Sequence, residues 1–371
     1  LTLWNRIEQW GKHNLLRYTE KVMGKIPVSP ESVPFDRIRR ILVIRSHDQL
    51  GDFLLSTPAL EALRARFPEA HIGILVRSYC RDTVKNNPCV DSILVHYENG
   101  RQWTWPRVRT LAAGLIKKWD MAVVLSSESH SLTSDLWAYL SGAKYIAGSE
   151  RFVFNGCSRN FLYNLTAPDG GPEKHQSARN LEIVEQFGAG TNDLREKVYV
   201  TPEEKSSLRL RFPDLYDGRP VIGLHIGANK TENRWPVSKF CELSRKLTEQ
   251  TGARIAVFWG PREHSLAEAF LRDAEVPLAP VEPSSLRNQA IHFSLCHLAV
   301  CNDTGIMHLC AAVGTPLVSI FGPTDPAVWK PVGDHVAAVR SDDGKTPSVS
   351  LESVLREALR LWKAYKPGSA D

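Results

Sequence analysis

Short apolar runs alternate with polar turns and amphipathic stretches along most of this chain. In the first half, residues 41–44 (ILVI), 71–76, 92–95, 121–125 and 144–146 predict strands. Between them, Leu54, Leu55, Leu60 and Leu63 mark a helix after the first strand, and further helices are predicted around 108–118 and 134–140. Strands that read as continuous apolar runs, alternating with helices, imply a parallel sheet covered on both faces. The pattern restarts at residues 221–225 (VIGLH), with a helix ending near Gln250, a strand at 254–259, two helices, a strand at 298–301 and another at 316–321. Residues 350–366 place Leu351, Val354, Leu355, Ala358, Leu361 and Trp362 on one helical face.

At 371 residues the chain exceeds the usual size of one hydrophobic core. The pattern divides it into an amphipathic stretch and connection (1–35), a first α/β domain (36–200), a linker (201–220), a second α/β domain (221–345) and a C-terminal amphipathic helix (346–371). Two α/β halves joined by one linker imply a cleft between them. Residues 149–175, rich in Gly, Asn, Arg and Pro, read as an irregular surface segment. His175 opens a helix over 179–187 that Gly188 ends.

Composition narrows the function classes. The chain is 43% hydrophobic and 23% charged, as in soluble globular proteins, and no apolar run is long enough to span a membrane. The N-terminus lacks the apolar core and cleavage site of a signal peptide. Seven scattered cysteines without a C-x-x-C fit free thiols in a reducing compartment, so the expected location is cytoplasmic. The net charge of +5 suits an anionic substrate or an anionic membrane surface. Dispersed basic residues and the absence of a recognisable module argue against nucleic acid as a partner. Residues 1–25 carry Leu3, Ile7, Trp10, Leu15 and Tyr18 among Arg6, Lys12, Arg17, Lys21 and Lys25. Such a helix lies on anionic lipid, or it packs on the domain or against another subunit, and the latter reading is slightly favoured. No G-x-G-x-x-G follows the first strand, which argues against a dinucleotide-binding dehydrogenase. No His/Cys cluster with ligand spacing and no D-x-D beside the candidate site indicates a metal.

The chemistry concentrates in residues 296–326. The run 298–301 ends at Asn302-Asp303-Thr304-Gly305, a helix follows, and a buried strand closes at Gly322-Pro323. That is a βαβ unit whose turn lies at the carboxyl end of a strand, where open α/β sheets bind ligands. Gly305 permits close backbone approach, the first helix amides are free to bind an anion, and Thr304 and His308 add donors. Asp303 and Thr304 are equally ordinary helix caps.

The segment N-D-T-G-x-x-H, followed by A-A-x-G-T-P and F-G-P-T-D-P, resembles the nucleotide-binding segment of glycosyltransferase family 9, the ADP-heptose:lipopolysaccharide heptosyltransferases and their relatives. The Gly51-Asp52 loop, His175 with Arg179-Asn180-Leu181, the Trp235-Pro236 loop and Gly260 to Glu263 match in chain order, covering nearly everything from residue 40 onward. The resemblance implies a GT-B fold: two Rossmann-like domains facing each other across a cleft, acceptor on the first and nucleotide sugar on the second. It implies that Asp52, in the stretch resembling S-x-L-G-D, is the general base of an inverting transfer. Complementing a helix N-terminus is the alternative role for that carboxylate, and His47 and Asp48 are neighbouring alternatives. The resemblance assigns Asp303, Thr304, Gly305 and His308 to the donor pocket, with Gly227 beside them, and Glu263 to the ribose hydroxyls. Ser46, His47 and Gly51 fall on the acceptor side. Family members commonly carry a lysine two residues before the Trp-Pro pair; here that residue is Asn233, and Lys230 or Arg234 is expected to supply the charge.

The expected activity is transfer of a heptose from ADP-heptose to a lipopolysaccharide inner-core acceptor, lipid-linked and met on the cytoplasmic face of the inner membrane, where a peripheral association is allowed. No tightly bound cofactor is expected; a divalent cation is allowed but not implied. The rivals are a relative using another nucleotide sugar or acceptor, a catalytically silent nucleotide binder, and a GT-B-like sugar-nucleotide epimerase.

Overall fold

The computed structural model describes residues 14–47, 49–126 and 130–365. The chain forms two compact units. The first comprises Leu1–Asp48, Ser56–Arg81 and Asn87–Leu194; the second comprises Gln49–Leu55, Asp82–Asn86 and Arg195–Asp371.

The first unit is built on a six-stranded, wholly parallel sheet. Its strands are β1 (Arg40–Arg45), β2 (His71–Arg77), β3 (Ser92–His96), β4 (Met121–Val124), β5 (Tyr145–Ser149) and β6 (Leu165–Ala167), in the order β3-β2-β1-β4-β5-β6. Chain order therefore reverses between β1 and β4. The central strands are buried along their length because helices cover both faces, which is why ILVI and MAVV read without polar alternation. Leu42, Ile44, Leu75, Ala122, Val124 and Ile146 form one core with Leu111, Leu115, Trp119 and Phe161. Gly73 in β2 makes room for Trp119: a Cβ there would collide with the indole.

Residues 14–23 are helical, and residues 1–13 of the basic stretch lie outside the described residues. Met23 packs on the core, and Lys25 and Val28 donate backbone N–H bonds to Phe161 and Asn164 at 2.8 Å, while Leu15, Tyr18 and Val22 face solvent. The segment expected to be irregular, 149–175, contains β6, paired in parallel with Ala147–Ser149. A strand of three residues at a sheet edge carries too little pattern to read.

The second unit repeats the plan. Strands β7 (Val221–His225), β8 (Arg254–Phe258), β9 (Leu278–Val281), β10 (Leu298–Asn302), β11 (Leu317–Phe321) and β12 (Val336–Arg340) pair in the order β12-β11-β10-β7-β8-β9, again all parallel. Counted within the unit this is the same order as in the first, with the reversal between β7 and β10. Two strands were not anticipated. β9 interrupts the stretch read as two consecutive helices, and β12 follows the last predicted strand; both are edge strands with partly exposed residues. The amphipathic C-terminal pattern becomes the helix Leu351–Ala364, which buries Leu351, Val354, Ala358, Leu361 and Trp362 on the core. Within the stretch expected to be a linker, Pro202–Arg211 is a helix whose Leu208 clusters with Ile291 and Leu295 of the second unit.

Candidate functional site

Asn302, the last residue of β10, is fully buried and organises the turn. Its Nδ2 donates to the carbonyls of Ile226 (3.0 Å) and Gly227 (3.1 Å) after β7, and its Oδ1 accepts the Trp235 N–H at 3.1 Å. One side chain thus ties the loops at the strand reversal together, satisfying backbone groups that burial would otherwise leave unpaired. The next residue, Asp303, accepts from the Thr324 hydroxyl and at 3.4 Å from Asn233 Nδ2. Burial raises its pKa, with Thr324, His308 and Lys230 pulling the other way. Asn233 is itself buried and also donates to the Asp303 carbonyl at 3.2 Å, so this residue braces the aspartate.

Thr304 caps the helix Gly305–Ala312: its Oγ1 accepts the Ile306 N–H at 3.3 Å. The capping role is therefore real, and the hydroxyl proton remains able to donate to a ligand. Gly305 is required by space. A Cβ there would stand 3.0 Å from Leu50 Cβ and 3.3 Å from the Gly51 nitrogen. Reciprocally, a Cβ on Gly51 would stand 2.8 Å from His308 Cδ2 and 3.2 Å from its Nε2. The start of the helix Leu50–Leu54 thus lies directly on the start of the helix Gly305–Ala312, through a glycine on each side.

His308 is buried, and its Nδ1 is 2.8 Å from Glu196 Oε1, itself buried. Burial alone would lower the histidine's pKa; Glu196, then Asp303 and Asp52, more than offset this, and the net shift is upward. Asp52, half-buried, is the third residue of the 50–54 helix and forms a capping box with Gln49, whose N–H reaches its Oδ2 at 3.3 Å. Complementing a helix start, the alternative considered for this residue, is thus realised, and the same carboxylate lies within electrostatic reach of His308.

Glu263 occupies a second cradle. Its Oε2 accepts the Gly260 N–H at 2.7 Å, and a Cβ on Gly227 would collide with its carboxylate. Arg234 Nη2 is 3.6 Å from Oε1, while its Nε donates to the Ala228 carbonyl at 2.8 Å. Beneath it, burial pushes His225 well below the ordinary imidazole value, with Glu263 only partly offsetting. Lys230 is exposed, 3.9 Å from Glu232.

The structure therefore gathers Gly51, Asp52, Asp303, Thr304, Gly305 and His308, and separately Gly227 with Glu263. Ser46 and His47 belong to the first unit. Ser46 is buried with its Oγ 3.0 Å from Ser134 Oγ, and the His47 carbonyl accepts from Arg77 at 3.0 Å. Asp48 lies outside the described residues. Among the described residues no group of three His, Cys, Asp or Glu side chains is placed to hold a metal, and no helix is long and apolar enough to cross a membrane. Sequence reasoning passed over Glu196 and Thr324. Thr324 lies in the recognised F-G-P-T-D-P run, whereas Glu196, 112 positions before His308, gave no local signal.

Residues 116–359 match the model of glycosyltransferase family 9 (heptosyltransferase). The chain belongs to that family. This family 9 glycosyltransferase is 25% identical over 312 residues to lipooligosaccharide heptosyltransferase 2 of Haemophilus influenzae, covering 80% of this chain and 87% of that protein. Among solved structures, the family 9 glycosyltransferase of Veillonella parvula superposes with a TM-score of 0.75 at 21% identity, covering 88% of this chain and 97% of the other. The ADP-heptose lipopolysaccharide heptosyltransferase II of E. coli superposes with a TM-score of 0.72 at 23% identity, covering 88% and 100%. Two parallel six-stranded sheets and these superpositions establish the GT-B fold class for this family 9 enzyme.

Proposed function

We propose that this enzyme transfers a heptose from ADP-heptose to a lipopolysaccharide inner-core acceptor with inversion at the anomeric carbon, Asp52 acting as general base. The carrying observation is that His308 lies within electrostatic reach of both Asp303 and Asp52 where Gly51 and Gly305 bring two helix starts into contact. In this reading the Asp52 carboxylate takes the proton of the acceptor hydroxyl as that oxygen bonds to the anomeric carbon. The bond from that carbon to the diphosphate breaks, and its electron pair goes to the phosphate oxygen. The Gly305 amide, the Thr304 hydroxyl and His308 stabilise that charge as donors, Lys230 adds a cation at the exposed rim, and Glu263 accepts from the ribose hydroxyls. Asp303 holds the donor turn in shape through Thr324 and Asn233. Ser46 and His47 lie on the acceptor side. Exposed Leu15, Tyr18 and Val22 beside Arg17 and Lys21 support peripheral attachment to the cytoplasmic face of the inner membrane.

A second reading has its own observation. Asn233 is committed to bracing Asp303 and Asp52 to its capping box, as expected of a nucleotide-binding member that has lost turnover. Release of ADP from ADP-heptose, with and without a lipid-linked core acceptor lacking the heptose, separates the two. Acceptor-dependent release that Asp52→Asn abolishes supports the transferase; tight ADP binding without release in any acceptor's presence supports the silent binder. Release without acceptor contradicts both.

A further inference from the structure

The residue two before Trp-Pro is the neutral Asn233, and a departing diphosphate needs a fixed cation close by. A group placed to supply that charge stands where the sequence does not reveal it. Glu196, on the segment entering the second unit, accepts from His308 Nδ1 at 2.8 Å, and both side chains are almost completely buried. Glu196 Oε2 has no hydrogen-bond partner among the described residues, so His308 is the one group bonded to that carboxylate. A buried carboxylate with a single partner favours the charged form of that partner.

The geometry assigns a consequence to this contact. With Nδ1–H given to Glu196, a neutral His308 would carry its lone pair on Nε2, the edge that lies against Gly51. A lone pair there repels phosphate; a second N–H attracts it. We propose that Glu196 is a positioning residue for His308, fixing the ring and keeping it an imidazolium whose Nε2–H meets the diphosphate. This rests on the donor site proposed above.

The charged groups that face His308 are identifiable from each packed element. Glu196 comes from the entering segment, Asp303 from the β10 turn and Asp52 from the 50–54 helix, and all three favour the cation. The helix Leu286–Phe293 also packs on the 305–312 helix, but its Arg287 is paired with Glu204 and its His292 Nδ1 lies 2.7 Å from Tyr216 Oη. Behind Glu196 stands His335, bonded to the Ala311 carbonyl at 3.3 Å and itself sensing Arg195, Asp334 and Glu196. The cation is thus set by carboxylates on three separate segments, with Glu196 alone in hydrogen-bond contact.

The direct test uses the full wild-type chain. With 15N-labelled histidine, NMR titration follows the His308 ring, assigned by the signal missing in His308→Gln. The expected midpoint lies above the ordinary imidazole value of 6.5; a midpoint at or below it overturns the proposal without requiring any Glu196 variant to fold. Calorimetry with ADP over a pH series then reads the consequence. In Glu196→Gln, ADP affinity above neutral pH should fall about 10- to 100-fold, the range of a charge-assisted hydrogen bond. The loss should shrink at acid pH, and Glu196→Asp, which keeps the carboxylate, should restore the wild-type profile. An equal loss at every pH, or no rescue by aspartate, would mean that Glu196 is merely structural. If wild type binds no ADP at any pH, the donor-site reading fails and this inference with it; if it binds and Glu196→Gln leaves the pH profile unmoved, this inference alone fails.

Discussion

The two units share one strand order and differ in what stands at the reversal of that order. In the first unit the end of β1 is closed on itself: Ser46 pairs with Ser134, and the buried Arg45 donates to the Leu125 carbonyl after β4. Nearby, Asp135 binds His130 Nε2 at 2.5 Å and accepts from the Tyr163 hydroxyl. In the second unit the equivalent edge carries Asn302, Asp303, Thr304 and Gly305 at the start of a helix, with a buried imidazole one turn on. The loop after β1 is also shared out: its helix, Leu50–Leu54, packs with the second unit and brings Gly51 and Asp52 to His308. A repeated fold therefore does not imply a repeated site, because the turn residues decide the chemistry. One half of this molecule uses its buried carboxylate to hold structure, and the other arranges carboxylates around a helix start and its buried imidazole.

The sharpest way to break this comparison is Asp52→Asn. If Asp52 is the base, transfer should fall about 10²- to 10⁴-fold, the usual contribution of a positioned general base, while ADP affinity stays within a few-fold. Steady-state rates and calorimetry on the same preparation check both parts. The matching change in the first unit is Asp135→Ala, which leaves His130 and Tyr163 without their buried partner. It should destabilise the protein by about 3–5 kcal/mol in denaturant unfolding, with ADP affinity unchanged. A strong loss of ADP affinity in Asp135→Ala would dissolve the distinction between the two edges.

Gly51→Ala comes next. Its methyl would press on the His308 ring at 2.8 Å, an overpacking expected to cost about 1–3 kcal/mol and to weaken ADP binding. The smallest effect separates two histidines on neighbouring helices of the second unit. His308, raised by its carboxylates, contributes stability that is complete below pH 6.5 and is lost as pH rises through its own higher value. His292, depressed to about 4 chiefly by burial and then by Arg211, does the opposite. The unfolded chain takes up its proton below 6.5, so stability falls as pH drops from there towards 4. Unfolding midpoints across pH should show both slopes, with His308→Gln removing the alkaline one alone.

The interior of both sheets was legible in the sequence for a physical reason. A strand buried on both faces must be apolar throughout, so β1, β2, β4, β7, β8, β10 and β11 announce themselves. The three strands that escaped, β6, β9 and β12, are all at edges, where one side is open and burial no longer dictates composition. Pro280 within β9 made that strand harder still to see. The 302–305 turn was legible because its residues are contiguous. What was not legible was every contact made across the chain: Glu196 on His308, Gly51 beneath the imidazole, Asn233 and Thr324 on Asp303, and Gly227 beneath Glu263. Asn233 read from the sequence as a missing charge and in the structure is a brace.

The decisive question is whether the edge of the second unit is an adenine-nucleotide site distinct from the base. Calorimetric titration of the full chain with ADP and with UDP, repeated on Asp303→Ala and Asp52→Ala, tests this. The expected result is binding selective for ADP that is lost in Asp303→Ala and retained in Asp52→Ala. Equal or tighter binding of UDP, or binding indifferent to Asp303, would contradict it.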